Sequence, residues 1–295
     1  MRRLLFDSFN AGYMQRALVE MLLLSVLAGT CSVFVLLRRL AFAGDALTHT
    51  IFPGAAIAFA AGASLFFGAL VAGLVSAVLL TVLTRVLRTD DDAILGVLLG
   101  SFFAVGVVVV SRSSSFTADL SSLLFGRILA VDRTEVVVTA VVAAVVLGAL
   151  ALFGKEIVLR SFDPVGATAA GYRVVALDLL LNVAIALVVV AAVKAVGTVL
   201  VIALLVTPAA IARLLCQRIG PMIAVSCAAI ALSAWIGLGI SFDLSVRHGW
   251  RLASGASVVV VLTTAFLLVA AASGLWRART ARSAVGAAAT VEASA

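Results

Sequence analysis

Arg38-Arg39-Leu40-Ala41-Phe42-Ala43-Gly44-Asp45-Ala46-Leu47-Thr48-His49-Thr50-Ile51-Phe52-Pro53-Gly54 opens on two arginines and then carries a carboxylate and an imidazole into an apolar run. If the arginines mark a membrane interface, Asp45 lies about 9 Å deeper along a helix and His49 about 15 Å, close to the midplane of a hydrocarbon core roughly 30 Å thick. The i, i+4 spacing sets both side chains on one helix face. An ionisable residue at that depth costs about 3 kcal/mol on insertion scales, so it faces a bundle interior, a partner or a water-filled path. Imidazole and carboxylate together suit zinc or manganese. The competing reading is a lock, in which the two bond each other or a neighbouring backbone. Pro53 and Gly54 follow directly, freeing backbone groups and permitting a kink just past the pair.

Composition extends this reading to the whole chain. Of 295 residues, 64% are hydrophobic and only 12% charged, with a mean hydropathy of +1.27. Soluble domains carry about twice that share of charge. Apolar runs near twenty residues recur, predicting an all-α, polytopic integral membrane bundle of eight or nine transmembrane helices. The predicted spans are 17–37, 40–62, 65–84, 93–111, 134–153, 174–193, 197–215, 220–239 and 255–275. Residues 1–16 read as an interfacial segment rather than a signal peptide, because Asp7, Asn10, Gln15 and Arg16 interrupt any apolar stretch. Residues 276–295 are rich in small side chains and read as a disordered cytoplasmic tail.

The net charge of +7 reflects topology rather than nucleic acid, since no aromatic-interleaved basic patch accompanies it. Basic residues gather at Arg38-Arg39, at Arg85 and Arg88, at Lys155, Arg160 and Arg173, at Arg213 and Arg218, and at Arg277, Arg279 and Arg282. By the positive-inside rule these connections face the cytoplasm, and those near 62–64, 112–133 and 241–253 face outward, though Arg112, Arg127, Arg133, Arg247 and Arg251 run against it. Residues 119–131 are too short to span and read as an outward interfacial or re-entrant helix. Cys31, Cys216 and Cys227 are scattered in apolar segments and suggest neither disulfides nor a thiolate site.

The second histidine, His248, follows Asp243 in the outward connection Ser241-Phe242-Asp243-Leu244-Ser245-Val246-Arg247-His248-Gly249-Trp250. Such a pair reads as solvated loop residues, or as the second half of a four-ligand cation site with Asp45 and His49. Thr207-Pro208 offers another helix break. The longest inward connection, 155–173, contains Asp163-Pro164, a good helix start, and Gly171, a good stop. A short helix parallel to the membrane is therefore expected there, either docking a cytosolic partner or serving as an ordinary connector. With lysine only at 155 and 194 there is no phosphate-loop motif, so the chain does not itself hydrolyse nucleotide. No hydrolase spacing supports an enzyme.

Several of these stretches match one family. The run Arg39 to Gly54, Asp91 to Gly100, Asp163-Pro164 with Ala167 and Gly171, Val196-Gly197 through Leu204-Leu205-Val206-Thr207-Pro208-Ala209-Ala210-Ile211-Ala212-Arg213-Leu214, and Ser254-Gly255-Ala256 resemble the membrane permeases of zinc- and manganese-type ABC importers. The resemblance covers roughly 17–275 and implies a type II importer-like permease in the bacterial cytoplasmic membrane. It implies a permease dimer in the lipid bilayer, a cytosolic ATPase subunit docking on inward loops, and an extracytoplasmic metal-binding protein. The metal, manganese or zinc with iron as a further candidate, is cargo, with no permanently bound cofactor and no nucleic acid. Asp45 and His49 then belong to the metal path, with Asp243 and His248 as its weaker half. Asp163, Pro164, Ala167 and Gly171 belong to the coupling helix. A permease for a chelate or vitamin, or a standalone ion-coupled transporter, is the alternative.

Overall fold

A computed structural model describes residues 9, 11–87, 91–111, 126–248 and 253–292. Among them every regular element is helical: α1 (Gly12–Leu37), α2 (Ala41–Ala60), α3 (Leu65–Leu87), α4 (Asp91–Val110), α5 (Arg133–Phe162), α6 (Pro164–Ala169), α7 (Val174–Val196), α8 (Thr198–Leu215), α9 (Ile219–His248) and α10 (Ser254–Glu292), with a 3-10 turn at Ile128–Ala130. Six helices (α1, α3, α5, α7, α9 and α10) are long and apolar enough to cross a membrane. Shorter apolar stretches lie in α4 (Ala93–Val109) and α8 (Leu200–Leu215). The 20-residue α2 is long enough, but Asp45, His49 and Pro53 dilute its hydropathy.

The helices sort into layers. α2, α3 and α4 pack together on one side and α8, α9 and α10 on the other, while α1 and α7 run through the middle. α7 earns its central position through sequence: Leu177 to Val196 is an almost unbroken run of Ala, Val, Leu and Ile, and its side chains are buried nearly all round. Such a helix is stable only among other helices.

Local signals explain the boundaries. Asp132 caps α5 through its own side chain, and its backbone N–H donates to Glu135 Oε2 at 3.2 Å. This is the capping box that Asp132-Arg133-Thr134-Glu135 spells. α1 ends differently. Arg39 N–H donates to the Leu36 carbonyl at 3.1 Å and Leu40 N–H to the Val35 carbonyl at 2.9 Å, a Schellman closure with Arg39 at φ +56°. That corner usually takes glycine. It turns the chain straight back into α2.

Close helix contacts depend on small residues. Gly54 of α2 and Gly68 of α3 lie so near that a Cβ on either would strike the other's backbone carbonyl. Gly106 of α4 lies against Phe52, leaving about 2.6 Å for any added Cβ. Gly44 faces Leu205 of α8. At the corner between α7 and α8, Gly126 (φ +69°) lies against the backbone of Val196 and Gly197. Arg127 N–H donates to the Ala195 carbonyl there at 3.1 Å.

One expectation needs correction. The connection expected at 241–253 is helical through His248, because nothing between Gly239 and Gly249 breaks the helix. The last helix is bounded at Ser254 and Glu292, so it overlaps the segment expected as a tail. Residues 112–125, most of the expected re-entrant helix, lie outside the described residues. The described remainder, 126–131, is no helix beyond its 3-10 turn and docks through buried Ile128 and Val131.

Gly54→Leu is expected to destabilise the purified protein by about 1–3 kcal/mol or block its assembly. Gly148→Ala, where a Cβ meets nothing, should be neutral or stabilising by up to about 1 kcal/mol. Thermal midpoints in detergent compare the two, and a Gly54→Leu protein as stable as its parent would contradict the α2–α3 contact.

Candidate functional site

The packing just described leaves α2 one accessible stripe: Phe42, Asp45, His49, Phe52 and Ile57, spaced by three to five residues. Its other faces are buried against α3, α4, α7 and α8. Asp45 Oδ1 and His49 Nε2 lie 3.5 Å apart on this stripe, with side chains 31% and 37% exposed. Phe103 of α4 meets the His49 ring edge-on with centroids 6.4 Å apart, and lies 6.3 Å from the Phe52 ring. The two polar groups are thus framed by aromatic rings.

Backbone chemistry adds an acceptor. Pro53 has no N–H to donate to the residue four positions earlier, so the His49 carbonyl lacks its usual helical donor. The Thr48 hydroxyl donates to the Asp45 carbonyl at 2.6 Å. Carboxylate, imidazole and a freed carbonyl therefore share about one turn of helix.

No third His, Cys, Asp or Glu joins Asp45 and His49 in a metal-holding group among the described residues. Asp243 stands in the last turns of α9, partly buried. His248 ends that helix, and its side chain lies outside the described residues. Among the described residues, Asp243 does not join Asp45 and His49 in such a group.

The expected inward helix takes shape as α6. Asp163 is its N-cap, accepting from Gly166 N–H at 2.7 Å, and Pro164 holds the first position. Ala167 is buried, Gly171 turns the chain at φ +84°, and Val165 is 78% exposed. Phe162, just before it, also projects outward. α6 packs on α5 and α7, presenting an apolar tip beyond the bundle.

Two polar clusters escape a reading by segments because their partners lie far apart in sequence. At one end, Asp178 of α7 accepts from Arg38 at 2.6 Å and from Arg85 and Arg160 at 3.1 Å each, and Asn182 donates to the Thr81 hydroxyl at 2.9 Å. At the other, buried Glu20 accepts from the Thr139 hydroxyl at 2.7 Å, and Lys194 pairs with Glu135 at 2.6 Å. The only sequence signal was an ionisable residue inside a predicted span. These contacts sort helix ends into two levels that agree with the alternation of basic connections.

The family model described as the ABC 3 transport family matches residues 10–273. The manganese transport system membrane protein MntC of Halalkalibacterium halodurans is 37% identical over 264 residues, spanning 89% of this chain and 88% of the relative. The chelated iron transport system membrane protein YfeC of Yersinia pestis is 32% identical, spanning 90% of this chain and 88% of the relative. Among solved structures, a chain of PsaBC from Streptococcus pneumoniae in complex with Fab superposes with a TM-score of 0.78 at 32% identity, covering 91% of this chain and 95% of that one. With a family match over residues 10–273 and relatives aligned over about nine-tenths of the chain, the chain belongs to the ABC 3 transport family.

Proposed function

We infer that the chain is the membrane permease subunit of an ATP-binding-cassette importer for a divalent transition metal, with manganese the first candidate. The observation that carries this reading is the placement of Asp45 and His49 on the accessible stripe of α2. At mid-membrane depth that stripe cannot face lipid cheaply, so it faces a pore. A nitrogen and oxygen donor set suits manganese, zinc or iron alike. The name of the Halalkalibacterium relative favours manganese, and that of the Yersinia relative keeps iron in view.

The pore forms where two permease copies, identical or not, bring their α2 stripes together. Two carboxylates and two imidazoles then surround the passing ion, with the freed His49 carbonyls as further hard-cation contacts. Asp243 and His248, towards the outward end of α9, form an outer station rather than part of the same shell. Nine helices cross the bilayer on this reading: the six long apolar ones together with α2, α4 and α8. The stretch 155–173 lies in the cytoplasm of the bacterial cell. A separate cytosolic ATPase seats on α6, with Asp163 and Pro164 holding the helix start and Ala167 and Gly171 fixing its seat on the bundle. An extracytoplasmic binding protein delivers the ion.

The decisive experiment is metal accumulation in a deletion strain carrying wild-type, Asp45→Asn or His49→Ala protein, with manganese, zinc and iron side by side. Both variants should insert normally and lose at least tenfold in uptake of the cognate metal. Normal uptake in both would overturn the site. Growth rescue by the free ion but not its chelate separates this reading from a chelate permease.

Val165→Asp places a charge on the exposed tip of α6. It should sharply reduce metal-stimulated ATP hydrolysis by the assembled transporter while leaving the permease's thermal midpoint unchanged. Hydrolysis and transport at parental rates would remove α6 from the coupling path.

A further inference from the structure

The cluster around Asp178 carries more positive charge than an interhelical lock requires. Arg38, Arg85 and Arg160 come from the ends of α1, α3 and α5 and converge on one carboxylate. Three guanidinium charges against one carboxylate leave a net of two positive charges. Arg38, Arg160 and Asp178 are largely buried. Glu156, one turn before Arg160, makes no ion pair with it among the described residues, and counting its charge still leaves the group positive. Uncompensated charge is expensive in a partly buried site.

Donors remain to be used. Each guanidinium has five N–H groups in a planar fork, and Arg160 Nε is buried with no partner among the described residues. The three arginines, with Thr84 and Asn182, line a cavity of about 70 Å³. By that measure one water needs roughly 10–15 Å³, so the space holds several waters or one tetrahedral anion. Arg85, 42% exposed, gives it access from outside. This end of the bundle carries the basic connections, which places it at the cytoplasmic leaflet. Basic pockets between transmembrane helices at that level match lipid head groups, and guanidinium forks match phosphate oxygens.

We propose that this cavity binds a phosphate group beside Asp178, from either an anionic phospholipid of the inner leaflet or a soluble phosphate. The phosphate neutralises the surplus charge and takes up the spare guanidinium donors, tying α1, α3 and α5 to the start of α7. The site is separate from the Asp45–His49 stripe, and its occupancy does not depend on which ion is transported.

The test uses the full-length protein, delipidated in detergent or placed in nanodiscs of phosphatidylcholine alone or mixed with phosphatidylglycerol. Thermal midpoint and native mass are followed on adding phosphatidylglycerol, or inorganic phosphate against chloride at equal ionic strength. A raised midpoint with one retained adduct is expected. A response to phosphatidylglycerol alone identifies the lipid as the source, and a response to inorganic phosphate identifies the soluble anion. Arg85→Gln, the most exposed arm and the least needed for folding, should weaken the response at least tenfold. Asp178→Asn, which removes the competing carboxylate, should keep or tighten it. Absence of any response in the wild-type protein, identical titrations of wild type and Arg85→Gln, or loss of the response in folded Asp178→Asn would each overturn the proposal.

Discussion

The rotation of α2 about its own axis determines which of its residues meet the outside of the bundle, and glycine sets that rotation. Gly54 against Gly68 and Gly106 against Phe52 bring neighbouring backbones or rings to distances that leave no room for a side chain, and a Cβ at Gly44 would press on the Leu205 side chain. With those faces occupied, the stripe bearing Asp45 and His49 is left open. Association of helices in lipid draws little on the hydrophobic effect, since lipid tails are as apolar as leucine, and rests on van der Waals contact between small residues. A larger residue at these contacts would therefore turn the polar pair as well as loosen the fold. Stability and site geometry share the same atoms here.

Much of this was legible in the sequence because the bilayer simplifies the problem. Hydrogen bonds must close within each span, so length and hydropathy placed α1, α2, α3, α4, α7 and α8 within a few residues. Asp163-Pro164 announced the start of α6 through side-chain chemistry. The end of α9 was misjudged because hydropathy reports where the membrane stops, while a helix stops only where its backbone is broken or capped. Ser241 to His248 contains neither proline nor glycine, so α9 continues past the apolar core.

The polar clusters were invisible for a different reason. Asp178 is 140 residues from Arg38, and Glu20 is 119 residues from Thr139, so no local pattern connects them. Asp178 read as one more residue of a predicted span, yet its carboxylate gathers three helix ends. Removing such a carboxylate strands several buried cations, and breaking a buried pair typically costs about 3–5 kcal/mol. Asp45 and His49 stood out because an ionisable pair sits one turn apart in a single apolar run, and the family resemblance rests on the same short motif. It could not reveal a cluster assembled only by packing.

The joint between α5 and α6 has a mechanical meaning. The 30 residues of α5 make a rod about 45 Å long, longer than the hydrocarbon core is thick. Only Asp163 separates it from α6, and that residue is hydrogen-bonded to both sides: its N–H to the Leu159 carbonyl at 2.8 Å, and its carboxylate to Gly166 N–H. Between the two helices there is no slack to absorb a push. Val165 thus stands at the end of a continuous rod that carries Arg160, whose guanidinium reaches Asp178 at the start of α7. Such a joint is built like a crank, where a looser loop would be built like a spring.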